Sequence, residues 1–233
     1  NITKYKIYNE DLRPCIFEYI YFASPESYIN DILVYSFREQ VGFKMADIIA
    51  ENIKSNKIED IDLIVPIPLT SIVSANVISS KLNKPLKYAV MKNRYTYRTF
   101  INKGNDIIKN IKKIRIISEI VKDKNILLVD DSIVRGNTSK HIISELIKAG
   151  VKKIYFVSCS PPVRFPNIYG IYIPSYRELI AHKRSNNDIK KLLNLDELFY
   201  LPLDDVLDVL KKLNPKILNF EDSTFSGKYI NFD

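Results

Sequence analysis

Two adjacent carboxylates, Asp130 and Asp131, directly follow four apolar residues at 126–129 near the middle of the sequence. A cation, a glycine, an amide and two hydroxyls then follow one another at 135–139. Backbone N–H groups where such a loop enters a helix bind phosphate, and paired carboxylates beside them can hold sugar hydroxyls or a hydrated Mg²⁺. The segment therefore predicts a phosphate site with a sugar or metal site at its edge.

A strand, a loop and a helix are needed to position these groups. The apolar run predicts a buried parallel strand, and apolar residues at helical spacing from Ile142 to Ile147 predict a helix ending near Gly150. An ordinary strand-to-helix turn, with solvated carboxylates and Asn137 or Thr138 as N-cap, is the alternative. We favour the ligand site because the acidic pair, the cation, the glycine and the hydroxyls occur together in one turn.

Two further segments have residue types suited to binding. Residues 62–68 predict a buried strand that closes on two prolines, and Leu69, Thr70 and Ser71 lead from it into a helix that Pro85 ends. Cationic and aromatic residues alternate irregularly at 92–101, which is typical of a solvated loop or of a surface for single-stranded nucleic acid. A second basic stretch, 109–115, predicts a solvated helix face.

Alternation of strands and helices sets the expected fold class. A helix over 35–53 and buried strands at 62–68, 126–129 and 153–158 predict an α/β fold with a doubly wound parallel sheet. Ligands in such sheets bind at the carboxyl ends of the strands. We expect one domain over 1–233, an edge strand at 15–23 in an N-terminal segment of about 30 residues, a short helix capped by Ser175, and a helical C-terminal extension over about 185–233 whose last helix starts at Asp204.

Composition excludes several classes of protein. The chain has 233 residues, 46% hydrophobic and 27% charged, which is typical of a globular domain, and it has no apolar run long enough to span a membrane. With no secretory signal and only two cysteines, we expect a cytoplasmic protein without disulfides. Two histidines make a structural zinc site improbable. The net charge of +8 suits nucleic acid or a polyanionic small substrate equally well.

The central motif resembles that of a known family. The segment 129–136, Val-Asp-Asp-Ser-Ile-Val-Arg-Gly, resembles the phosphoribosylpyrophosphate-binding motif of type I phosphoribosyltransferases in its amidophosphoribosyltransferase version. The 92–101 loop is similar to the loop that closes over substrate in that family, except that Tyr97 stands where a glycine is usual. Leu69 stands where an acid is usual. The resemblance extends over about 13–229 and implies a type I phosphoribosyltransferase fold.

The resemblance implies a transferase that uses phosphoribosylpyrophosphate, Mg²⁺ and ammonia. Asp130, Asp131 and Thr70 would bind the metal, and the two aspartates would also hold the ribose hydroxyls. The pyrophosphate loop would comprise Pro68, Leu69, Thr70 and Ser71. Residues of the substrate-binding motif would be Asp130, Asp131, Ser132, Ile133, Val134, Arg135, Gly136, Asn137, Thr138 and Ser139. From the closing loop, Lys92, Arg94 and Arg98 would act in catalysis and Tyr95 would contact substrate. We expect a homo-oligomer, with neither nucleic acid nor membrane as a partner.

Two parts of full-length family members have no counterpart in the sequence. Their N-terminal glutaminase domain, which supplies ammonia, would here be a separate subunit, be removed or be replaced by free ammonia. Their iron–sulfur cluster is expected to be absent, because Cys15 alone matches a cluster ligand and Asn167, Glu221 and Thr224 take the other positions. Two alternatives remain open: a phosphoribosyltransferase for a nucleobase or another amine, and a non-catalytic effector-binding protein.

Overall fold

The computed structural model describes residues 12–92, 114–173 and 175–230. Its strands are β1 (Tyr28–Ile29), β2 (Ile32–Leu33), β3 (Leu63–Pro66), β4 (Val90–Lys92), β5 (Ile114–Ile116), β6 (Asn125–Asp130), β7 (Lys153–Ser158) and β8 (Glu197–Tyr200). Its α-helices are α1 (Val34–Lys54), α2 (Ile72–Leu82), α3 (Ser118–Val121), α4 (Asn137–Lys148), α5 (Asn186–Leu193), α6 (Leu203–Leu213) and α7 (Ser223–Ser226). A π-helix at Glu18–Phe22 and a 3₁₀ helix at Tyr176–Glu178 complete them.

Four parallel strands form the central sheet in the order β3–β6–β7–β8. All six residues of β6 are buried, as expected of an interior strand whose two faces are both covered. Two small antiparallel pairs, β1 with β2 and β4 with β5, lie apart from this sheet. The predicted parallel sheet is confirmed, and it brings the carboxyl ends of β3 and β6 side by side.

Alternate residues of the central strands face two different hydrophobic cores. Leu127 and Val129 pack in the core that contains residues of α1, α2 and α6, while Ile126 and Leu128 pack in the core that contains residues of α4 and α5. Helices therefore cover both faces of the sheet. The prediction of a doubly wound α/β fold is confirmed, and its two layers of helices leave the strand ends free to carry polar groups.

The edge strand expected at 15–23 is wrong. Cys15 forms a single bridge with Glu221, and the aromatic residues after it form the π-helix. The backbone carbonyls of this segment bind a side chain instead of a neighbouring strand: Nε of Arg38 donates to Tyr19 O at 3.1 Å, and Nη2 donates to Ala23 O at 2.8 Å. A buried guanidinium from α1 thus takes the place of strand pairing.

The C-terminal part contributes more to the sheet than its sequence predicts. Residues 185–230 include α5, α6 and α7, as expected of a helical extension, but β8 adds a fourth strand beside β7. The short helix that we expect Ser175 to cap is a 3₁₀ turn at Tyr176–Glu178, and Ser175 Oγ accepts from Arg177 N as the predicted cap. Within the described ranges, no helix is long and apolar enough to cross a membrane.

Candidate active site

The two aspartates end β6 and are more buried than the sequence suggests. Asp130 is 9% exposed and Asp131 is 7% exposed, so the solvated pair of an ordinary turn is excluded. Oδ1 of Asp130 accepts from the backbone N–H of Asp131 at 3.0 Å. Ser132 Oγ donates to Asp131 Oδ1 at 2.6 Å, and Thr70 Oγ1 donates to Asp131 Oδ2. Asp131 therefore joins the loop after β6 to the loop after β3.

Burial controls the electrostatics of this pair. It raises the pKa of Asp130 well above its ordinary value, and the charge of Asp131 raises it further. Burial also raises the pKa of Asp131, whereas hydrogen bonds from Ser132 and Thr70 and the positive charge of Arg38 lower it. Two carboxylates thus share a site that is short of positive charge, and a hydroxyl-bearing or cationic ligand would relieve their repulsion.

A phosphate cradle follows the acidic pair. Gly136 has φ +76° and precedes α4, whose first intrahelical bond runs from Lys140 N to Gly136 O at 2.8 Å. The backbone N–H groups of Asn137, Thr138 and Ser139 lie ahead of that bond, so they are the donors that a helix N-terminus offers to an anion. The side chain of Ser139 is buried, while those of Asn137 and Thr138 are exposed.

Tertiary contacts fix the cradle in place. Ile133 is buried in the core beneath α4, and Val134 O accepts from Ile180 N at 3.0 Å. Arg135 Nε donates to Glu178 Oε2 at 2.6 Å. The Ile133 side chain, the Val134 carbonyl and the Arg135 guanidinium therefore hold the loop. Any contact of Ile133 or Val134 with phosphate would come from the backbone. This separates the predicted substrate-binding residues into those that face a ligand and those that support it.

The loop after β3 faces the acidic pair from the neighbouring strand. Ile67 N donates to Val129 O at 2.8 Å, which places the residues after Pro66 beside the end of β6. Ser71 is buried and its Oγ donates to Ile67 O at 2.6 Å, so that hydroxyl serves the loop itself. Thr70 points to Asp131, and Leu69, which is 62% exposed, points to solvent. The predicted pyrophosphate loop and the predicted phosphate cradle are therefore adjacent.

The closing loop is only partly within the described residues. Lys92 ends β4, where it pairs with Ile114 of β5, and its side chain is exposed. Arg94, Tyr95 and Arg98 lie outside the described residues, as does most of the basic stretch at 109–115. Their assigned roles stay predictions.

Sequence reasoning missed two residues that border the acidic pair. Arg38 is 3% exposed and lines a small cavity together with Thr70 and Asp131. Burial, and then the charges of Asp131 and Asp130, raise the pKa of the Tyr21 phenol. The sequence does indicate that Arg38 is buried. It lies next to Phe37 and three residues before Val41, on the apolar stripe of α1.

Three of the four positions compared with cluster ligands, Cys15, Asn167 and Glu221, line one pocket. Cys15 and Glu221 form an isolated parallel β-bridge, and Thr224 follows shortly after Glu221 in the sequence, on α7. Glu221 Oε1 accepts from Ser223 N at 2.9 Å, and Asn167 Oδ1 accepts from Tyr169 N at 2.9 Å. Burial and the neighbouring Glu221 carboxylate raise the pKa of the Cys15 thiol to about 12. One protonated thiol among oxygen and amide groups is a poor match for a ligand set that needs four thiolates.

Oxygen atoms at the ends of β3 and β6 suit a hard cation. Mg²⁺ in enzymes is commonly bound by one or two carboxylates together with substrate phosphates. Asp130, Asp131 and Thr70 provide two carboxylates and a hydroxyl, and the raised pKa of both aspartates marks a local need for positive charge. Among the described residues, no three His, Cys, Asp or Glu side chains form a metal-binding group. Two carboxylates and one hydroxyl are a partial ligand set that other oxygen atoms would have to complete.

Comparisons with known proteins agree with this geometry. The family model of the phosphoribosyl transferase domain matches residues 38–160, which include both strand-end loops. The amidophosphoribosyltransferase of Escherichia coli is 44% identical over 222 residues, covering 94% of this chain and 43% of the bacterial protein. That of Saccharomyces cerevisiae is 38% identical over 220 residues, covering 94% of this chain and 42% of the yeast protein. The chain thus spans less than half the length of these relatives.

Solved structures give the same result. Glutamine phosphoribosylpyrophosphate amidotransferase from Bacillus subtilis, in complex with ADP and GMP, superposes with a TM-score of 0.78 at 31% identity. The match covers 95% of this chain and 48% of that one. A structure described as the allosteric regulatory enzyme of purine biosynthesis gives a TM-score of 0.75 at 31% identity, covering 95% of this chain and 46% of that one.

Proposed function

The chain belongs to the phosphoribosyl transferase domain family, and we propose that it transfers the nitrogen of ammonia to C1 of phosphoribosylpyrophosphate. The products would be pyrophosphate and 5-phosphoribosylamine, in the first step of purine synthesis. One observation carries the proposal: Asp131 hydrogen-bonds to Thr70 in the loop after β3 and to Ser132 in the loop after β6. A phosphate-binding loop on each side of a carboxylate pair suits a ribose that is phosphorylated at both ends.

Each part of the substrate has a matching group. The 5′-phosphate would accept hydrogen bonds from the backbone N–H groups at 137–139, at the N-terminus of the 12-residue helix α4. The ribose hydroxyls would donate to Asp130 and Asp131, whose carboxylates are buried and repel each other. The pyrophosphate would lie along 68–71, where Thr70 already bonds to Asp131. This orientation presents C1 between the two loops.

Asp130, Asp131 and Thr70 would hold Mg²⁺ together with the pyrophosphate. When bound, the ion supplies positive charge that offsets the charge of the departing pyrophosphate. The residues of this chain position the ribose and keep its leaving group aligned, which is where we expect most of the rate enhancement to arise. Neutral ammonia is already nucleophilic, so no general base is needed to remove a proton before attack on C1.

The remaining expectations concern residues and partners beyond the strand-end loops. Lys92, Arg94 and Arg98 would bring positive charge to the pyrophosphate, and Tyr95 would help cover the substrate, as the resemblance implies. The full-length relatives suggest that a glutaminase, on the same chain or on a separate subunit, supplies the ammonia. We also propose a homo-oligomer in the cytoplasm. The name amidophosphoribosyltransferase, carried by a relative that is 44% identical over 222 residues, supports the part of these proposals that concerns the transferase.

Release of pyrophosphate by the purified chain tests the function. Phosphoribosylpyrophosphate and Mg²⁺ should give pyrophosphate when ammonia is added, at a rate that rises with pH as more ammonia becomes neutral. Hypoxanthine, guanine or adenine in place of ammonia should give none. Faster release with one of these bases would identify a nucleobase phosphoribosyltransferase. Tight substrate binding without release under any condition would identify an effector-binding protein instead.

A further inference from the structure

Arg38 is a buried cation that holds the N-terminal segment 18–23 on α1. Its Nε and Nη2 donate to the carbonyl oxygens of Tyr19 and Ala23 at 3.1 and 2.8 Å, and Nη2 also approaches Tyr21 O at 3.4 Å. Burying a guanidinium costs free energy unless its donors are satisfied, so these carbonyls are a large part of what keeps the side chain in place. The planar fork binds both ends of the segment at once.

The same guanidinium borders the active site. Arg38, Thr70, Ser71 and Asp131 line a cavity of about 10 Å³, and Nη1 of Arg38 has no hydrogen-bond partner among the described residues. A cavity of this size holds no more than about one water molecule. The cavity is too small for a phosphate group, so we assign Arg38 no phosphate contact through it. Any effect of Arg38 on the reaction must act through the residues that it touches.

Ile20 and Tyr21, in the segment that Arg38 holds, lie on the side of that segment nearest the acidic pair. Ile20 lines the small cavity with Asp131, and the charges of Asp131 and Asp130 act on the phenol of Tyr21. Tyr21 is 46% exposed, and its ring packs edge-to-face on Phe22, with ring centroids 5.1 Å apart, while Phe22 itself lines a separate pocket with Cys15. An apolar wall at this position would limit the access of water to a ribose held by the pair. Its placement depends on the three carbonyls that Arg38 binds.

We propose that Arg38 is a positioning residue that holds the 18–23 segment against the acidic pair and so keeps water from C1 of the bound substrate. The inference rests on the proposed transfer to ammonia. In that reaction, attack by ammonia on C1 releases pyrophosphate and forms phosphoribosylamine. Attack by water breaks the same bond, releases the same pyrophosphate and gives ribose 5-phosphate. The choice between the two nucleophiles is therefore the property that the wall controls.

The experiment measures the rate of pyrophosphate release without ammonia and with saturating ammonia, at fixed phosphoribosylpyrophosphate and Mg²⁺. The first rate divided by the second is the hydrolysis ratio. Arg38→Met should raise this hydrolysis ratio about tenfold, because a displaced wall admits water and misaligns the amine. Arg38→Lys should raise it nearly as much, since one ammonium cannot hold carbonyls at both ends of the segment. Ser74→Ala is the matched control, because Ser74 lines the same small cavity and its Oγ donates to the carbonyl of Arg38 at 2.7 Å, so the change disturbs this region while keeping the guanidinium.

Ser74→Ala should lower the melting temperature without changing the ratio. An unchanged ratio in Arg38→Lys, or in a folded Arg38→Met, would overturn the positioning role while leaving the transferase assignment intact. An equal rise in Ser74→Ala would show that general loosening of the core is responsible, and would overturn it too. Absence of ammonia-dependent release by the unmodified chain would reject both proposals.

Discussion

The loops after β6 and β3 occupy equivalent places in the sheet but are held very differently. The loop after β6 is anchored by Ile133 in the core, by the bond from Ile180 N to Val134 O and by the ion pair of Arg135 with Glu178. In the loop after β3, Ile67 N is bonded to Val129 O at the start of the loop, but the bond from Ser71 to Ile67 is internal and Leu69 lies in solvent. A preformed cradle suits a phosphate that stays on the sugar, and a less anchored loop suits a pyrophosphate that departs.

Asp131 accepts hydrogen bonds from both loops, so its substitution should have the largest effect on activity. Asp131→Asn, and likewise Asp130→Asn, should lower ammonia-dependent pyrophosphate release by about 10²-fold or more, because ribose positioning and charge stabilisation fail together. Steady-state kinetics and a circular-dichroism melt measure activity and folding separately. Asp62→Asn is the control, since Asp62 Oδ2 accepts from Asn125 N at the opposite end of β6. Near-normal activity in Asp131→Asn would contradict the site.

The anchored loop can be tested through its glycine. Gly136 has φ +76°, and a Cβ there would lie 2.5 Å from Ile180 Cδ1, so Gly136→Ala should destabilise the fold by about 1–3 kcal/mol and weaken phosphoribosylpyrophosphate binding. Gly150→Ala is a matched control with φ +83°, where the nearest atom is Lys122 Cγ at 3.4 Å. Denaturant unfolding and substrate titration should show lost stability in both variants but lost binding only in Gly136→Ala. Equal loss of binding would argue against a preformed cradle.

Without substrate and Mg²⁺, the pH dependence of the free energy of unfolding should reveal the raised pKa values of Asp130 and Asp131. The pKa of Asp130 and of Asp131 is higher in the folded state than in the unfolded chain, so the folded state binds more protons above about pH 4. Their contribution to the free energy of unfolding therefore falls as pH rises through the interval between the unfolded and folded pKa values. Asp130→Asn should gain stability relative to the unmodified chain over that interval, measured by urea unfolding from pH 4 to pH 8. If the two proteins differ in free energy of unfolding by the same amount at every pH, the raised pKa of Asp130 would be contradicted.

Substitution of Leu69, in the loop after β3, should have the smallest effect on stability and activity. Leu69 stands where the resembling family usually has an acid, and its side chain is in solvent. Leu69→Glu should change stability by no more than about 0.5 kcal/mol and lower the Mg²⁺ concentration for half-maximal activity by about twofold to fivefold. Leu69→Gln separates charge from size and should leave the Mg²⁺ requirement unchanged. A higher Mg²⁺ requirement in Leu69→Glu would show that the loop does not face the metal.

Long apolar runs and turn residues made much of the fold predictable from sequence. The helix over 35–53 and the strands at 126–129 and 153–158 were all confirmed, because buried parallel strands and amphipathic helices have distinct patterns. The strand β8 was missed because it is four residues long and follows an acidic residue, Asp196, that appears solvated in sequence. Asp196 Oδ2 in fact accepts from Ile154 N at 2.8 Å, a contact between distant parts of the chain.

The candidate site was predictable in its motif and less so in its surroundings. Asp130, Asp131 and the 135–139 loop follow one another in the chain, so their types and order alone indicated a ligand site. The role of Arg38 depends on packing of 18–23 against α1, and the burial of the two aspartates depends on tertiary packing; local patterns encode neither. Aromatic residues there suggested a strand, whereas a guanidinium from another element satisfies the carbonyls and favours the π-helix.

The most direct test of the central claim is pyrophosphate release by the purified 233-residue chain with phosphoribosylpyrophosphate, Mg²⁺ and either ammonia or glutamine. We predict release that depends on ammonia and increases with pH towards the pKa of ammonium, with no release from glutamine. Addition of a glutaminase partner should confer use of glutamine while the residues at the ends of β3 and β6 stay the same. Absence of ammonia-dependent release from a folded chain that binds phosphoribosylpyrophosphate would contradict the account.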